Sequence, residues 1–217
     1  MNFKDERNEL IKYGKEMLRA KLTTGSGGNL SIFIRDKQLV AITPSGISYN
    51  EMQPEDIVIL DLEGNIIEGD KKPSSEHSMH RIFYKKRQDI NAIIHLHSVY
   101  STTLACLHWE LPATHYLIGV SGGENVRCAE YATYGTKELA ENVYEAMEDR
   151  SAVFLANHGL ITGAATLSSA FSKAEEIELC AEVYYRAMSI GKPKIIPTDE
   201  VEKMIGMFQG YGQRSTK

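Results

Sequence analysis

The chain has 217 residues, with 24 Lys and Arg against 29 Asp and Glu and a net charge of -5. That acidic balance, without a long basic block, excludes non-specific nucleic-acid binding through clustered positive charge; the short runs at 71–72 and 85–87 read as solvated surface. A hydrophobic fraction of 42% and a charged fraction of 24% are those of a globular domain with a full core, which sets aside disordered and fibrous classes.

Residues 5–21 bring Leu10, Ile11, Tyr13, Met17 and Leu18 to one side at helical spacing, so they predict an amphipathic helix. The Gly/Ser/Thr cluster "TTGSGGNLS" ends it, and "SIFIRD" and "QLVAIT" follow as a hairpin. "TPSGISYNEMQPED" is a second loop, after which "DIVILDLEGNIIEG" reads as two short strands about a turn. "KPSSEHSMHRIFYKKRQ" carries a helix start with Ser74 or Ser75 as cap and Met79, Ile82 and Phe83 as the buried stripe.

"INAIIHLHS" is a strand, "VYSTTLACLH" a helix, and residues 136–149 another helix. "SAVFLANHGLITG" reads as a buried strand stopped by a turn at "NHG", and a long amphipathic helix follows from about residue 165 to 189. Helices flanking consecutive strands give an α/β or mixed α+β class, and with no repeat or linker the expectation is one domain over 1–217.

Cys106, Cys128 and Cys180 are scattered and odd in number, which implies neither a disulfide framework nor a cysteine metal site and suits a reducing compartment. The N-terminus is charged where a signal peptide is apolar. No stretch approaches the roughly 18 to 20 apolar residues that span a bilayer. The expectation is a cytoplasmic protein without membrane or nucleic-acid partners.

In a strand, residues i and i+2 share a face, so His95 and His97 point together while Leu96 points away. The pair fits either two corners of a metal site or a polar strand face. His158 follows a buried-looking strand, where it is either a structural side chain or one aimed into a cleft. Glu76 adds a carboxylate at a predicted helix start, and three imidazoles with one carboxylate can hold Zn²⁺ while leaving a position or a base for substrate.

Three loops, "GSGGN", "TPSG" and "PSSE", are rich in hydroxyls and backbone N–H groups. They are either plain turns or donors for a small phosphate ester; the first is neither a Walker loop nor GxGxxG. A Schiff-base mechanism would need a buried lysine, and the lysines lie mostly in charged, surface-like runs.

Taken in order, "GSGGNLS", "ITPSG", "PSSE", "HLHS" and "NHGL" resemble the class II aldolase/adducin family along nearly the whole chain, most closely its L-fuculose-1-phosphate aldolases. The resemblance implies a single domain with a central, mostly antiparallel sheet flanked by helices. It implies one Zn²⁺ per subunit on Glu76, His95, His97 and His158, and a substrate phosphate on Ser26, Asn29, Ser45, Gly46, Ser74 and Ser75. It implies reversible cleavage of a ketose 1-phosphate, of the L-fuculose 1-phosphate type, to dihydroxyacetone phosphate and a small aldehyde such as L-lactaldehyde, through a metal-stabilised enediolate. Glu76 is then the acid and base at carbon. Tyr116, in "THYLIG", is a proton donor supplied across a subunit interface of a homotetramer, and Tyr211, in "FQGYG", closes over the substrate. The alternatives are a half-buried core aromatic for Tyr116 and a loose tail for Tyr211.

Ser26 replaces a threonine common in these aldolases, keeping a hydroxyl donor, and Asn157 lies where branches of the family vary. The related L-ribulose-5-phosphate 4-epimerases tend to have Asp where this chain has Glu76, which favours the aldolase branch and leaves methylthioribulose-1-phosphate dehydratases open. A non-catalytic adducin-type binding module would have no need of Glu76 and all three histidines.

Overall fold

The computed structural model describes residues 2–209. Helix α1 (Lys4–Arg19) leads into strands β1 (Asn29–Ile34) and β2 (Leu39–Ile42), then β3 (Val58–Asp61) and β4 (Ile66–Glu68), with a 3₁₀ turn over Pro54–Asp56 between the pairs. Helix α2 (His77–Lys86) precedes β5 (Ala92–Leu96) and α3 (Val99–Cys106). The short strands β6 (Leu111–Pro112), β7 (Asn125–Val126) and β8 (Cys128–Ala129) follow, with a 3₁₀ segment at Tyr116–Ser121, and then α4 (Lys137–Met147). Strands β9 (Ala152–Leu155) and β10 (Gly159–Ala164) lead to α5 (Leu167–Ile190) and α6 (Thr198–Gln209).

Eight strands form one sheet in the order β4-β3-β2-β1-β5-β10-β9-β8, antiparallel at every step except β8 beside β9. Strand pleating sends alternate side chains to opposite faces. Ile94 and Leu96 of β5 therefore join Leu10, Met17, Leu104 and Ile177, the buried stripes of α1, α3 and α5. Ile93 joins Met79, Phe83 and Val143 from α2 and α4 on the other face. The result is an α/β fold with a central mixed, mostly antiparallel sheet flanked by helices, as expected.

β5 is the strand that places the site. It lies between β1 and β10, with His95 directly opposite Asn29 on one side and Ile161 on the other. Paired on both edges and buried throughout, β5 holds whatever leaves its C-terminal end in a fixed place.

Two expectations change, and four elements are additional. Neither Ser74 nor Ser75 caps α2: Glu76 occupies the N-cap position, its own N–H bonded to Ser74 Oγ at 3.3 Å. The segment around "NHG" is a hairpin, not one strand, because Asn157 adopts a left-handed conformation at φ 54° and reverses the chain into β10. Strands β6, β7 and β8 and helix α6 were not anticipated. Among the described residues, no helix is long and apolar enough to cross a membrane.

Candidate metal centre

Four groups reach one point from three directions. His95 is the penultimate residue of β5 and His97 lies just past its end, at the same i and i+2 spacing. His158 comes from the β9–β10 turn, and Glu76 from the start of α2. Close backbone approach makes this possible: a Cβ on Gly28 would lie 2.3 Å from the His95 carbonyl oxygen, and one on Gly159 2.3 Å from that of Leu96. Gly28 also has φ +72°, the left-handed region that glycine enters without strain.

The Nε2 atoms of His95 and His158 are 3.2 Å apart and those of His95 and His97 3.0 Å. Glu76 places Oε2 3.4 Å from Nε2 of His95, and Oε1 3.4 Å from Nε2 of His158. A tetrahedron of ligands around Zn²⁺ at about 2.05 Å has edges of about 3.3 Å. The ligand nitrogens of His95, His97 and His158 lie within 4.8 Å of one another, and the Glu76 carboxylate stands beside two of them at a matching distance, so the group suits a metal ion by residue type and by the distances given.

Their protonation fits too. Burial, then the neighbouring His158 and His97, hold His95 well below the usual imidazole range. Burial and His158 push His97 down to about 4. Burial lowers His158, against the pull of Glu76. His95 Nδ1–H donates to the Leu160 carbonyl at 3.0 Å, which fixes the tautomer and leaves its Nε2 lone pair facing the cluster. Among the described residues, Glu76 Oε1 is buried and has no hydrogen-bond partner. A buried carboxylate oxygen left without a donor is expensive unless a cation takes that place.

Of the three donor-rich loops, the first adjoins the histidines, the third runs into Glu76, and the second is joined to the third. The Ser45 and Ser74 loops are stitched by a Pro44–Pro73 bridge, with Ser45 N–H to Lys72 O at 2.9 Å and Ser74 N–H to Thr43 O at 3.1 Å. Residues 23–28 lie against the histidines, Gly27 facing His97 Nδ1, and Tyr49 OH holds the Gly28 carbonyl at 2.9 Å. Ser26, Ser45, Gly46 and Ser75 are exposed on these loops, whereas Ser74 and Asn29 are buried. Asn29 Nδ2 donates to Glu76 Oε2 at 2.9 Å, which ties the first loop to the carboxylate.

Glu76, His97 and His158 open into a cleft of about 290 Å³ whose other walls include Tyr131, Tyr134 and Asn157. The two tyrosines, 58% and 68% exposed, are side chains that sequence reasoning did not single out. Loop aromatics carry no periodicity to mark them. Glu178 was missed for a similar reason: it reaches from α5 to the start of α3, 80 residues away in sequence from its partner Ser98.

Tyr116 is not brought to this cleft within one chain. It is 51% exposed, lies near Phe208 with ring centroids 6.3 Å apart, and lines a separate groove with Leu117, Met204 and Met207. Tyr211 lies outside the described residues. One lysine departs from the surface pattern: Lys173 is largely buried, and burial lowers its pKa. Its Nζ is bonded to Val120 O at 2.7 Å and Ser151 Oγ at 3.1 Å, on a different cleft from the histidines.

The model of the Class II Aldolase and Adducin N-terminal domain matches residues 8–185. The 5-deoxy-D-ribulose 1-phosphate aldolase of Bacillus thuringiensis serovar kurstaki is 56% identical over 214 residues, covering 99% of this chain and 100% of the relative. A 5-methylthioribulose-1-phosphate/5-deoxyribulose-1-phosphate aldolase of Rhodospirillum rubrum is 41% identical, covering 96% of this chain and 93% of its own. A solved structure described as L-fuculose 1-phosphate aldolase superposes with TM-score 0.94 at 54% identity, covering 96% of this chain and 98% of that one.

Proposed function

The chain belongs to the class II aldolase and adducin family, whose aldolases are metal-dependent lyases, and from that membership we propose that it reversibly cleaves a short-chain ketose 1-phosphate to dihydroxyacetone phosphate and an aldehyde. Cleavage between C3 and C4 of a 5-deoxypentulose 1-phosphate releases acetaldehyde; the same cut in L-fuculose 1-phosphate releases L-lactaldehyde. We rank 5-deoxyribulose 1-phosphate first among substrates and L-fuculose 1-phosphate second; the 56% identity to a relative named 5-deoxy-D-ribulose 1-phosphate aldolase supports that order. The observation that carries the reading is Glu76 Oε1, a buried carboxylate oxygen with no donor among the described residues, beside His158 in a cluster of three histidines.

Glu76, His95, His97 and His158 would hold Zn²⁺, the ion that this mixed imidazole and carboxylate set suits. The ion supplies a Lewis acid for the negative charge that develops on the substrate oxygens as the carbon–carbon bond breaks. Ser26, Asn29, Ser45, Gly46, Ser74 and Ser75 supply hydroxyl, amide and backbone N–H donors for the phosphate. The C4 hydroxyl gives up its proton to Tyr116, and on to solvent, as the C3–C4 bond breaks; C4 leaves as the aldehyde carbon, and the bonding pair passes to the three-carbon fragment. The Glu76 carboxylate, ionised at rest, takes up a proton from solvent and delivers it to C3, giving dihydroxyacetone phosphate and returning to its ionised form.

Tyr116 handles the proton on the aldehyde oxygen. Its place on a groove apart from the histidine cleft supports a contribution to a neighbouring subunit, in a homotetramer with sites at subunit boundaries. Tyr211 is assigned to closure over the substrate. The whole of 1–217 is read as one domain, and three unpaired thiols support a cytoplasmic setting.

The test is to incubate the purified protein separately with 5-deoxyribulose 1-phosphate and L-fuculose 1-phosphate and identify the products by mass. Release of dihydroxyacetone phosphate with the matching aldehyde supports the aldolase. Loss of water without chain cleavage would make it a dehydratase, and an isomer of unchanged mass an epimerase.

A further inference from the structure

Under Glu76 and Asn29 lies a polar cluster whose other members, His80, Ser31 and Tyr84, take no part in the chemistry above. Tyr84 OH lies 2.5 Å from Ser31 Oγ, Ser31 Oγ 2.6 Å from His80 Nδ1, and His80 Nε2 2.5 Å from Asn29 Oδ1. Asn29 Nδ2 then reaches Glu76 Oε2 at 2.9 Å. All five side chains are buried, Ser31 and His80 completely.

The sequence builds this chain from two periods. Glu76, His80 and Tyr84 recur every four residues along one face of α2, about 6 Å apart in rise. Asn29 and Ser31 recur every two residues along one face of β1, about 6.6 Å apart. The two spacings nearly match, so helix and strand groups interleave like the teeth of a zipper.

Each link has one polarity. An ionised carboxylate only accepts, so Asn29 turns its NH₂ to Glu76 and its Oδ1 to His80. Oδ1 also only accepts, so His80 must carry its proton on Nε2. Complete burial, then the nearby His77, push the His80 pKa down to about 3, so the ring is neutral and Nδ1 is bare. The Ser31 hydroxyl donates there, and its oxygen accepts from Tyr84, which also reaches the Ser31 carbonyl at 3.1 Å.

We propose that His80 is a positioning residue: as the Nε2–H tautomer it fixes the Asn29 amide, and through it the Glu76 carboxylate, with Oε2 held by the protein and Oε1 left for the metal. A carboxylate tied at one oxygen cannot rotate freely, yet it keeps the other for ligation and proton transfer. The inference rests on reading Glu76 as both ligand and proton carrier.

The tautomer is read first, by ¹⁵N NMR of the histidine-labelled wild-type protein. The expected result is a protonated Nε2 and a bare Nδ1 at residue 80 at neutral pH; an Nδ1–H tautomer overturns the proposal. Zn²⁺ affinity is then measured by chelator competition in His80→Leu, which removes the donor, and His80→Gln, which places an N–H near the position of Nε2. The expected loss is roughly 10- to 100-fold in H80L, with kcat falling more than KM, and only a few-fold in H80Q. Unchanged affinity in H80L, or equal losses in both variants, overturns it. Because the tautomer is read on the unaltered chain, misfolding of H80L leaves that arm decisive. Glu76→Gln separates the two readings: full rate in E76Q defeats the functional reading, whereas an inactive E76Q beside a wild-type-like H80L defeats only this one.

Discussion

Glu178 on α5 accepts two hydrogen bonds from Ser101 on α3, from the backbone N–H at 2.9 Å and from the hydroxyl at 2.7 Å. It also takes the N–H of Tyr100 and the hydroxyl of Ser98, so one carboxylate satisfies the first turn of a helix that starts two residues after His97. Glu178→Ala leaves these donors unpaired, at about 1–3 kcal/mol for each that water cannot reach. The expected result is a lower urea midpoint together with weaker Zn²⁺ binding, because the anchor of the His97 loop is lost. Unfolding curves with and without Zn²⁺ check both effects.

Gly28→Ala is expected to damage the site more than its size suggests. The added Cβ meets the His95 carbonyl at 2.3 Å, at a φ of +72° that costs alanine about 1–2 kcal/mol before any clash. Destabilisation of about 2 kcal/mol or more by urea titration, with loss of bound metal, is the outcome. Gly46→Ala has a similar φ of +74° but nothing within 4 Å of the new Cβ, so it serves as the strain-only control.

Tyr116→Phe is expected to keep its metal and lose roughly 10²- to 10⁴-fold in kcat, the usual worth of a positioned proton donor. Mixing this variant with Glu76→Gln subunits tests where the tyrosine acts. If it serves a neighbouring subunit, the hybrid assemblies regain activity that neither variant has alone. If each chain uses its own Tyr116, they do not.

His80 makes the metal-free protein sensitive to acid. Its folded pKa, about 3, lies below the ordinary value of 6.5, so below 6.5 the unfolded chain takes up a proton that the folded chain refuses. Stability from this group is therefore present above pH 6.5 and is lost as pH falls, by about 2 kcal/mol at pH 5. His95, His97 and His158 add losses of the same sign. Between pH 7 and pH 5 the wild type should lose about 2 kcal/mol more than H80Q in urea unfolding.

How much of this was legible depends on the range of the interaction. The β1–β2 and β3–β4 hairpins, α2, β5 and α5 follow from local periodicity and turn residues, and the metal-site candidates from residue types that are costly to bury unpaired. The β9–β10 hairpin was hidden because only three residues, 156–158, make the reversal, with Asn157 in the left-handed region, and "GLITGA" is too small-residue-rich to read as a strand. The pairing of the Ser45 and Ser74 loops, the cap by Glu178 and the walls given by Tyr131 and Tyr134 are all contacts between segments distant in sequence. The relay through His80 is intermediate: its four-residue and two-residue spacings are in the sequence, but only the packing of α2 on β1 shows that they interleave.

The most direct measurement is the rate of dihydroxyacetone phosphate release from 5-deoxyribulose 1-phosphate by protein of known metal content, before chelation, after it, and after Zn²⁺ is restored. The account predicts about one ion per chain, release abolished with the ion and recovered on its return, and neither binding nor release in His95→Ala. Full release by metal-free protein would contradict it.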